Sequence, residues 1–307
     1  MPITSFKSGT KSRSMLVGNY AYDPSRGIFA GGVNVSAGNV IDYIIIASTG
    51  NATDFGDLTV SRRSLAGCGS TTRGVFAGGT PDGDTIDYIT ILSQGNATDF
   101  GDLTSTRHGV SGCSSSTRGI FGGGNSANNV IDYITIATTG NALDFGDLAV
   151  GQSFKSSCSS TTRGIFAGGT GGGSENIIEY ITIASTGNAT DFGDLSAGRY
   201  DTAACSSSTR GVISGGTNAN DTIDYITIAT TGNATDFGDL TVGTTGGISG
   251  CSSLVRGVFA GGDRAAARSN IIDYVTIASA GNATDFGDLT VTRYGLAGIS
   301  GSHGGLA

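Results

Sequence analysis

The sequence predicts an all-β fold of six four-stranded antiparallel units, and three observations carry that prediction. First, one segment recurs six times along the 307 residues: an Arg-Gly pair, apolar residues and a Gly pair, starting at Arg26, Arg73, Arg118, Arg163, Arg210 and Arg256. Second, the copies are spaced by 47, 45, 45, 47 and 46 residues, and each holds four short β-prone runs. A period of that length with four strands per copy is the pattern of a propeller blade. Third, apolar residues follow no 3.6-residue period and glycines interrupt every segment, which excludes helices. The expected architecture is a six-bladed β-propeller, whose closure removes the edges that six loose sheets would expose.

The strands follow in order within the copy that begins at Arg73. Strand B is Arg73-Gly-Val-Phe-Ala-Gly-Gly, and strand C is Ile86-Asp87-Tyr88-Ile89-Thr90-Ile91, which alternates as a half-buried strand requires. Gly95-Asn96 is expected to form the tight C–D hairpin turn, since both residues tolerate positive φ. The same pair recurs at 50–51, 140–141, 187–188, 232–233 and 281–282. Strand D surrounds Asp99-Phe100-Gly101-Asp102-Leu103, and a small-residue run ending at Cys113 is strand A of the next blade.

Strands B, C and D each occur six times, but seven segments resemble strand A, one near Met15-Leu16-Val17 and one at Leu296-Ala297-Gly298-Ile299. Five copies place Cys five residues before the Arg, and Ile299 fills that apolar position, whereas Asn19 stands seven residues ahead of Arg26. The C-terminal strand near 293–300 is therefore expected to close the first blade. The propeller would span 23–307, with 1–22 as an N-terminal arm or attachment segment.

Composition limits the function classes. Gly fills 53 positions and Pro 3, without a Gly-X-Y period, which excludes collagen-like and Pro-rich disordered chains. The net charge of −8 is mostly repeat framework: 18 of 25 acidic residues sit at three fixed places in six copies, leaving 7 acids against 17 bases. An acidic chain without clustered Lys and Arg is not expected to bind nucleic acid. No apolar run approaches a membrane-spanning helix, and the first residues lack a secretory hydrophobic region, so no membrane insertion is expected.

These motifs resemble the kelch repeat: a Gly pair after strand B, an aromatic in strand C, and an aromatic-x-x-Leu step before a following Arg. The likeness spans residues 13–300, with Phe55, Phe100, Phe145, Phe192, Phe237 and Phe286 where kelch repeats usually carry Trp. The wording Gly-Asn-Ala-Thr-Asp-Phe-Gly-Asp-Leu is similar to kelch-type repeat proteins encoded by tailed phages of aquatic bacteria. That resemblance implies a virion component, a tail fibre, appendage or surface decoration, located on the virion surface. The alternative reading is a cytoplasmic kelch-type adaptor.

Most recurring residues read as framework. The Phe of strand D and the Tyr of strand C (Tyr43, Tyr88, Tyr133, Tyr180, Tyr225, Tyr274) are expected to fill the space between blades. The Arg of each Arg-Gly is expected to pair with the acids of Asp-Phe-Gly-Asp. Cys68, Cys113, Cys158, Cys205 and Cys251 occupy one equivalent place per blade and read as buried free thiols. Asn-Ala-Thr-Asp-Phe-Gly-Asp carries oxygen ligands suited to calcium, as a calcium-dependent adhesin propeller would. It lacks the alternating acids of an integrin-type calcium loop, and a Phe intrudes, so no cofactor is expected. With two histidines, His108 and His303, and no cluster of His, Cys and carboxylate outside the repeat, no enzymatic activity is expected.

The repeats disagree in two places, the B–C loops and the D–A connections. In an antiparallel blade these emerge on one face, and the near-verbatim A–B and C–D turns on the other. Thr80-Pro81-Asp82-Gly83-Asp84-Thr85 differs wholly from Asp263–Ile271, and the D–A connections carry Arg62-Arg63, Arg107-His108, Gln152-Ser153-Phe154, Arg199-Tyr200, Thr244-Thr245 and Arg293-Tyr294. Such side chains suit recognition by stacking and charge-assisted hydrogen bonds. The candidate ligand-binding residues are therefore Arg62, Arg63, Arg107, His108, Phe154, Arg199, Tyr200, Arg264, Arg268, Arg293 and Tyr294. The expected partners are a host-surface glycan or other virion proteins, within a larger assembly.

Overall fold

Side chains alternate between the two faces of each strand, and in strand B both faces are buried, as in Gly27–Ala30 and Gly74–Ala77, so each sheet must pack against a neighbour on either side. The computed structural model describes residues 25–34, 38–81, 83–125, 128–171, 173, 175–217, 220–264 and 267–306. The expected arm at 1–22, with Met15-Leu16-Val17, lies outside the described residues, as do Asp82, Ala265 and Ala266 of the B–C loops.

The first repeat contributes β1 (Arg26–Ala30), β2 (Val40–Ile45) and β3 (Thr53–Asp57). The second forms a four-stranded sheet of β4 (Ala66–Gly69), β5 (Arg73–Ala77), β6 (Thr85–Thr90) and β7 (Thr98–Asp102). The third does the same with β8 (Ser111–Ser114), β9 (Arg118–Gly122), β10 (Val130–Thr135) and β11 (Leu143–Asp147). The fourth uses β12 (Ser156–Ser159), β13 (Arg163–Ala167), β14 (Ile177–Thr182) and β15 (Thr190–Asp194). The rest of the chain supplies β16 (Ala203–Ser206), β17 (Arg210–Ser214), β18 (Asn220–Thr227), β19 (Thr235–Ser252), β20 (Arg256–Arg264), β21 (Ala267–Arg268), β22 (Ile271–Thr276), β23 (Thr284–Asp288) and β24 (Ala297–Ser300). β24 returns to pair antiparallel with β1, Ile28 opposite Ile299, which completes a sheet in the order β24-β1-β2-β3.

The result is a β-propeller-like arrangement of four-stranded antiparallel sheets, with one correction to the expected count. Four sheets are separate, and the fifth and sixth repeats share one eight-stranded sheet, β16-β17-β18-β19-β20-β22-β23 with β21 beside β20. The cause lies in β19, which runs without a break from the strand-D to the strand-A position. The stretch from Leu240 to Cys251 holds one residue more than its counterpart from Leu195 to Cys205. Thr244 pairs with Asn220 on one side and Arg264 on the other, and the register shifts between Thr244 and Gly246. A connection that is a loop elsewhere is here absorbed into a bulged strand.

The inner strands touch in a closed circuit: β24, β4, β8, β12, β16, the second half of β19, and β24 again. A second circuit of hydrogen bonds runs around the outside. The Gly50 N–H donates to the Phe286 carbonyl at 2.8 Å, as Gly95 does to Phe55 and Gly140 to Phe100, and Asn51 Oδ1 accepts the Asp288 N–H at 3.1 Å. The expected role of Gly-Asn as the hairpin turn is therefore corrected. The tight turn lies earlier, closed by the Ser48 N–H on the Ile45 carbonyl at 3.1 Å, and Gly-Asn latches one repeat to its neighbour.

The core lies between successive sheets. Ile28, Ile41 and Phe55 of the first repeat pack with Phe76, Ile89 and Ile91 of the second, as expected for the strand-D Phe. Each such ring removed from water contributes about 1.5–3 kcal/mol. The strand-C Tyr meets that Phe edge to face, Tyr43 and Phe55 having centroids 6.1 Å apart. The Arg of Arg-Gly does not pair with Asp-Phe-Gly-Asp as expected. Arg26 stacks over the Tyr43 ring at 4.6 Å and donates through Nη1 to the Ile91 carbonyl of the next repeat at 3.1 Å, a cation–π and hydrogen-bond bridge between repeats.

Cys68, Cys113, Cys158, Cys205 and Cys251 are buried and free. Their sulfurs explain the Gly of Arg-Gly: a Cβ on Gly119 would stand 2.6 Å from Cys68 Sγ, and one on Gly164 2.7 Å from Cys113 Sγ. The thiol of one repeat thus fills the notch that the next leaves open. Burial raises the Cys158 pKa to about 12, so these thiols remain protonated and inert.

Candidate functional site

The D–A connections converge on one end of the axial channel, and the structure divides their residues into two sets. The first set is internal. Arg62, Arg107, Arg199, Arg264 and Arg293, expected to face a ligand, are buried and paired with the strand-C acids. Arg62 Nη2 lies 2.8 Å from Asp87 Oδ2, while its Nη1 donates to the Thr85 carbonyl at 2.6 Å. Arg199 and Arg293 hold Asp224 and Asp42 at 2.8 Å in the same way, and Arg107 holds Asp132. The reason is electrostatic: the acid of Ile-Asp-Tyr points into the protein, and a buried carboxylate requires a charged partner.

The remaining two repeats show how strict this requirement is. Gln152 replaces the Arg in the fourth, and Lys155, three residues on, places Nζ 3.3 Å from Glu179 Oε2. Thr244 replaces it before the sixth, and Arg264 reaches back from the B–C side to put Nη1 2.5 Å from Asp273 Oδ2. Lys155 was not singled out in the sequence. The readable signal was a strand-C acid kept where the usual Arg is lost and a new base stands nearby.

The second set surrounds a cavity of about 310 Å³ at the channel mouth, lined by Arg63, Ser64, Thr80, His108, Phe154, Asp201, Gly247, Tyr294 and Gly295. Of the expected residues, Arg63, His108, Phe154 and Tyr294 come together here. Tyr200 does not line the cavity but packs behind Phe154, their centroids 6.4 Å apart, and Arg268 stacks over Tyr294 at 5.2 Å. Arg63 Nη1 lies 3.2 Å from the Tyr294 hydroxyl. The Phe154 and Tyr294 rings each rest over a glycine: a Cβ on Gly109 would meet Phe154 at 3.0 Å, and one on Gly247 would meet Tyr294 at 2.8 Å.

Asp201 is the residue that sequence reasoning missed. Burial, and secondarily the charge of Asp263, pushes its pKa up to about 7. It occupies the place four residues before the strand-A Cys, where the backbone is left-handed in every repeat: Ser64 (φ 56°), Gly109 (65°), Phe154 (57°), Asp201 (56°), Gly247 (68°) and Gly295 (68°). Glycine at three of the six positions was the available signal that the position demands positive φ.

Below the mouth the channel narrows to a lumen of about 100 Å³ between the inner strands, reached by Ser111, Ser156, Thr202 and Ser249. Its far end holds a short 3₁₀ turn, Gly304–Leu306, with His303 beside it. His303 Nε2 lies 3.3 Å from both the Ser114 Oγ and the Gly69 carbonyl, while Nδ1 accepts the Gly305 N–H at 3.1 Å. With Nδ1 accepting, Nε2 carries the proton, and this imidazole is not placed to take a proton from Ser114. Burial lowers the His303 pKa to about 4.

No protein-family model matches the chain, and no curated protein matches it either. Among the described residues no group of three or more His, Cys, Asp or Glu side chains is arranged to hold a metal ion. No helix there is long and apolar enough to cross a membrane.

Proposed function

We propose that this chain is a kelch-like β-propeller acting as a non-enzymatic binding or structural module of a phage particle, a tail fibre, appendage or surface decoration. Its D–A face would contact a host-surface glycan or a neighbouring virion protein. We further count the eight-stranded sheet as two blades, making six, because each half repeats the A–B–C–D order of the separate sheets. The observation that carries the reading is an asymmetry between the two channel ends. The side chains that differ among repeats gather at the mouth, in a cavity holding Arg63, His108, Phe154, Asp201 and Tyr294. The opposite end presents Ser- and Thr-rich turns, near-identical but for exposed Leu254 and Val255 in one of them, and is filled by the protein's own His303–Leu306 segment. A surface for a partner combines aromatic side chains with a few charged ones, and only the mouth meets that description. The assignment to a virion rests on the resemblance of the repeat wording.

A cryo-EM map of the native assembly containing this chain tests the reading. The expected result is a propeller on the particle exterior with its D–A and B–C loops exposed. A mouth packed against another subunit would make these residues assembly contacts and remove the glycan reading. A map of phage particles without this chain would remove the virion assignment.

A further inference from the structure

The cavity at the mouth differs from an ordinary solvent-filled funnel in its backbone. Three of the six left-handed positions carry side chains, Ser64, Phe154 and Asp201, where glycine serves the other three. A bulky residue such as Phe at φ 57° is an outlier that costs free energy, and such strain concentrates at functional sites. The fold itself does not ask for these side chains, since Gly109, Gly247 and Gly295 make the same turn. Phe154 and Asp201 therefore stand in the cavity for a reason other than the turn.

The charge at the mouth is mixed. Arg63 and Asp201 line the cavity, and outside it Arg268, stacked on Tyr294, stands directly opposite Asp263 in the β20–β21 pairing. The cavity lining thus sets one carboxyl group, Asp201, against one guanidinium group, Arg63, so neither a strong anion nor a cation finds a wall of opposite charge and the chemistry favours a neutral polar ligand. Asp201 enters no hydrogen bond through its carboxylate among the described residues, leaving its oxygens to accept from a ligand hydroxyl. Phe154 and Tyr294 supply apolar walls. A volume of about 310 Å³ is at the small end for ligand pockets and suits one ring. The lumen below narrows to about 100 Å³ and His303 fills its far end, so a polymer enters by its end and does not thread through.

We infer that the mouth cavity is a blind socket for the terminal, uncharged sugar unit of a glycan, with Asp201 and Arg63 binding its hydroxyls and Phe154 and Tyr294 covering its carbon faces. This rests on the reading of the D–A face as the binding face and adds the ligand class and the residues.

The full chain is titrated with methyl glycosides of neutral hexoses and N-acetylhexosamines, followed by ligand-observed NMR and calorimetry. The variants are Asp201→Gly and Phe154→Gly, which install the residue other repeats already use, and Val255→Ala, in an exposed turn at the opposite end, serves as the control. A cooperative thermal transition with a midpoint no lower than the parent's establishes that the variants are folded. At least one glycoside binds the parent and weakens about tenfold or more in both glycine variants but not in the control. Binding by none of the glycosides, or binding that both glycine variants retain, overturns the socket. Binding only to longer oligosaccharides overturns the terminal-unit assignment. If the glycosides fail while Asp201→Gly abolishes attachment of the chain to cells, the face reading survives and the sugar inference alone falls. If attachment is also unchanged in both variants, the face reading falls with it.

Discussion

At the scale of single residues, six buried ion pairs among the described residues neutralise the strand-C acids, five from the D–A connections and one, Arg264, from the B–C side. The repeats have tested this constraint on themselves, since the lost Arg at 152 and 244 is answered by Lys155 and Arg264. Lys155→Ala strands Glu179 without its cation and is expected to cost about 3–5 kcal/mol in chemical denaturation. Adding Gln152→Arg rebuilds the arrangement of the other repeats and should recover most of that loss; no recovery would show that the pairing is not interchangeable. The same burial makes Arg199 unsuitable as a probe of binding, because removing it breaks the pair with Asp224. Asp201 behaves differently. Its folded pKa, about 7, lies above the ordinary 3.8, so the folded state holds a proton that the unfolded state has released between those values. Stability is lost as pH rises through that window. Asp201→Asn keeps a residue that tolerates positive φ and cannot ionise. It should therefore raise the thermal midpoint at about pH 8 and leave it unchanged near pH 4; an equal effect at both would refute the shift.

At the scale of strands, the contacts between repeats decide which small residues recur. Gly119 faces Cys68 Sγ, so Gly119→Ala drives a Cβ to 2.6 Å from the sulfur and is expected to destabilise by about 1–3 kcal/mol. Combining it with Cys68→Ala empties the space that the new methyl group needs. The double variant should be more stable than the sum of the single effects predicts, and strict additivity would argue against the contact. The Ile134 side chain, 3.0 Å from the same Cβ, keeps the rescue partial. The latch between Gly50-Asn51 and the strand carrying Phe286 shows the same principle for hydrogen bonds: a residue that reads as local turn chemistry serves the neighbouring repeat.

At the scale of the whole molecule, β24 joins the end of the described chain to its beginning and supplies the inner edge of the first sheet. Removing residues 297–306 leaves β1 with an open edge, takes Ile299 from its place against Gly74, and opens the far end of the lumen. The truncated protein is expected to lose cooperative thermal unfolding and to self-associate, as read by light scattering; a monomer with the parent midpoint would show that the closure carries no stability. The segment also gives the whole molecule an acid response. The His303 pKa of about 4 lies below the ordinary 6.5, so its contribution is complete above about pH 6.5 and is lost as pH falls towards 4.

The sequence by itself determined the repeat, the strands within it, the inter-repeat position of the strand-D Phe and the buried free cysteines. These follow from alternation and from equivalence among copies, which are local and countable. It also located the face where the copies differ. It did not separate Arg62 from Arg63, or Arg293 from Tyr294, because adjacent residues on one turn diverge by orientation alone: one base turns inward to an acid on another strand and its neighbour lines the mouth. The fusion of the last two repeats into one sheet, through a single extra residue near Thr244, was likewise decided by pairing across the structure. Asp201 came to matter for the same reason. Its burial, its neighbour Asp263 and the cavity it lines arise from segments distant in the chain, and only the folded ring brings them together.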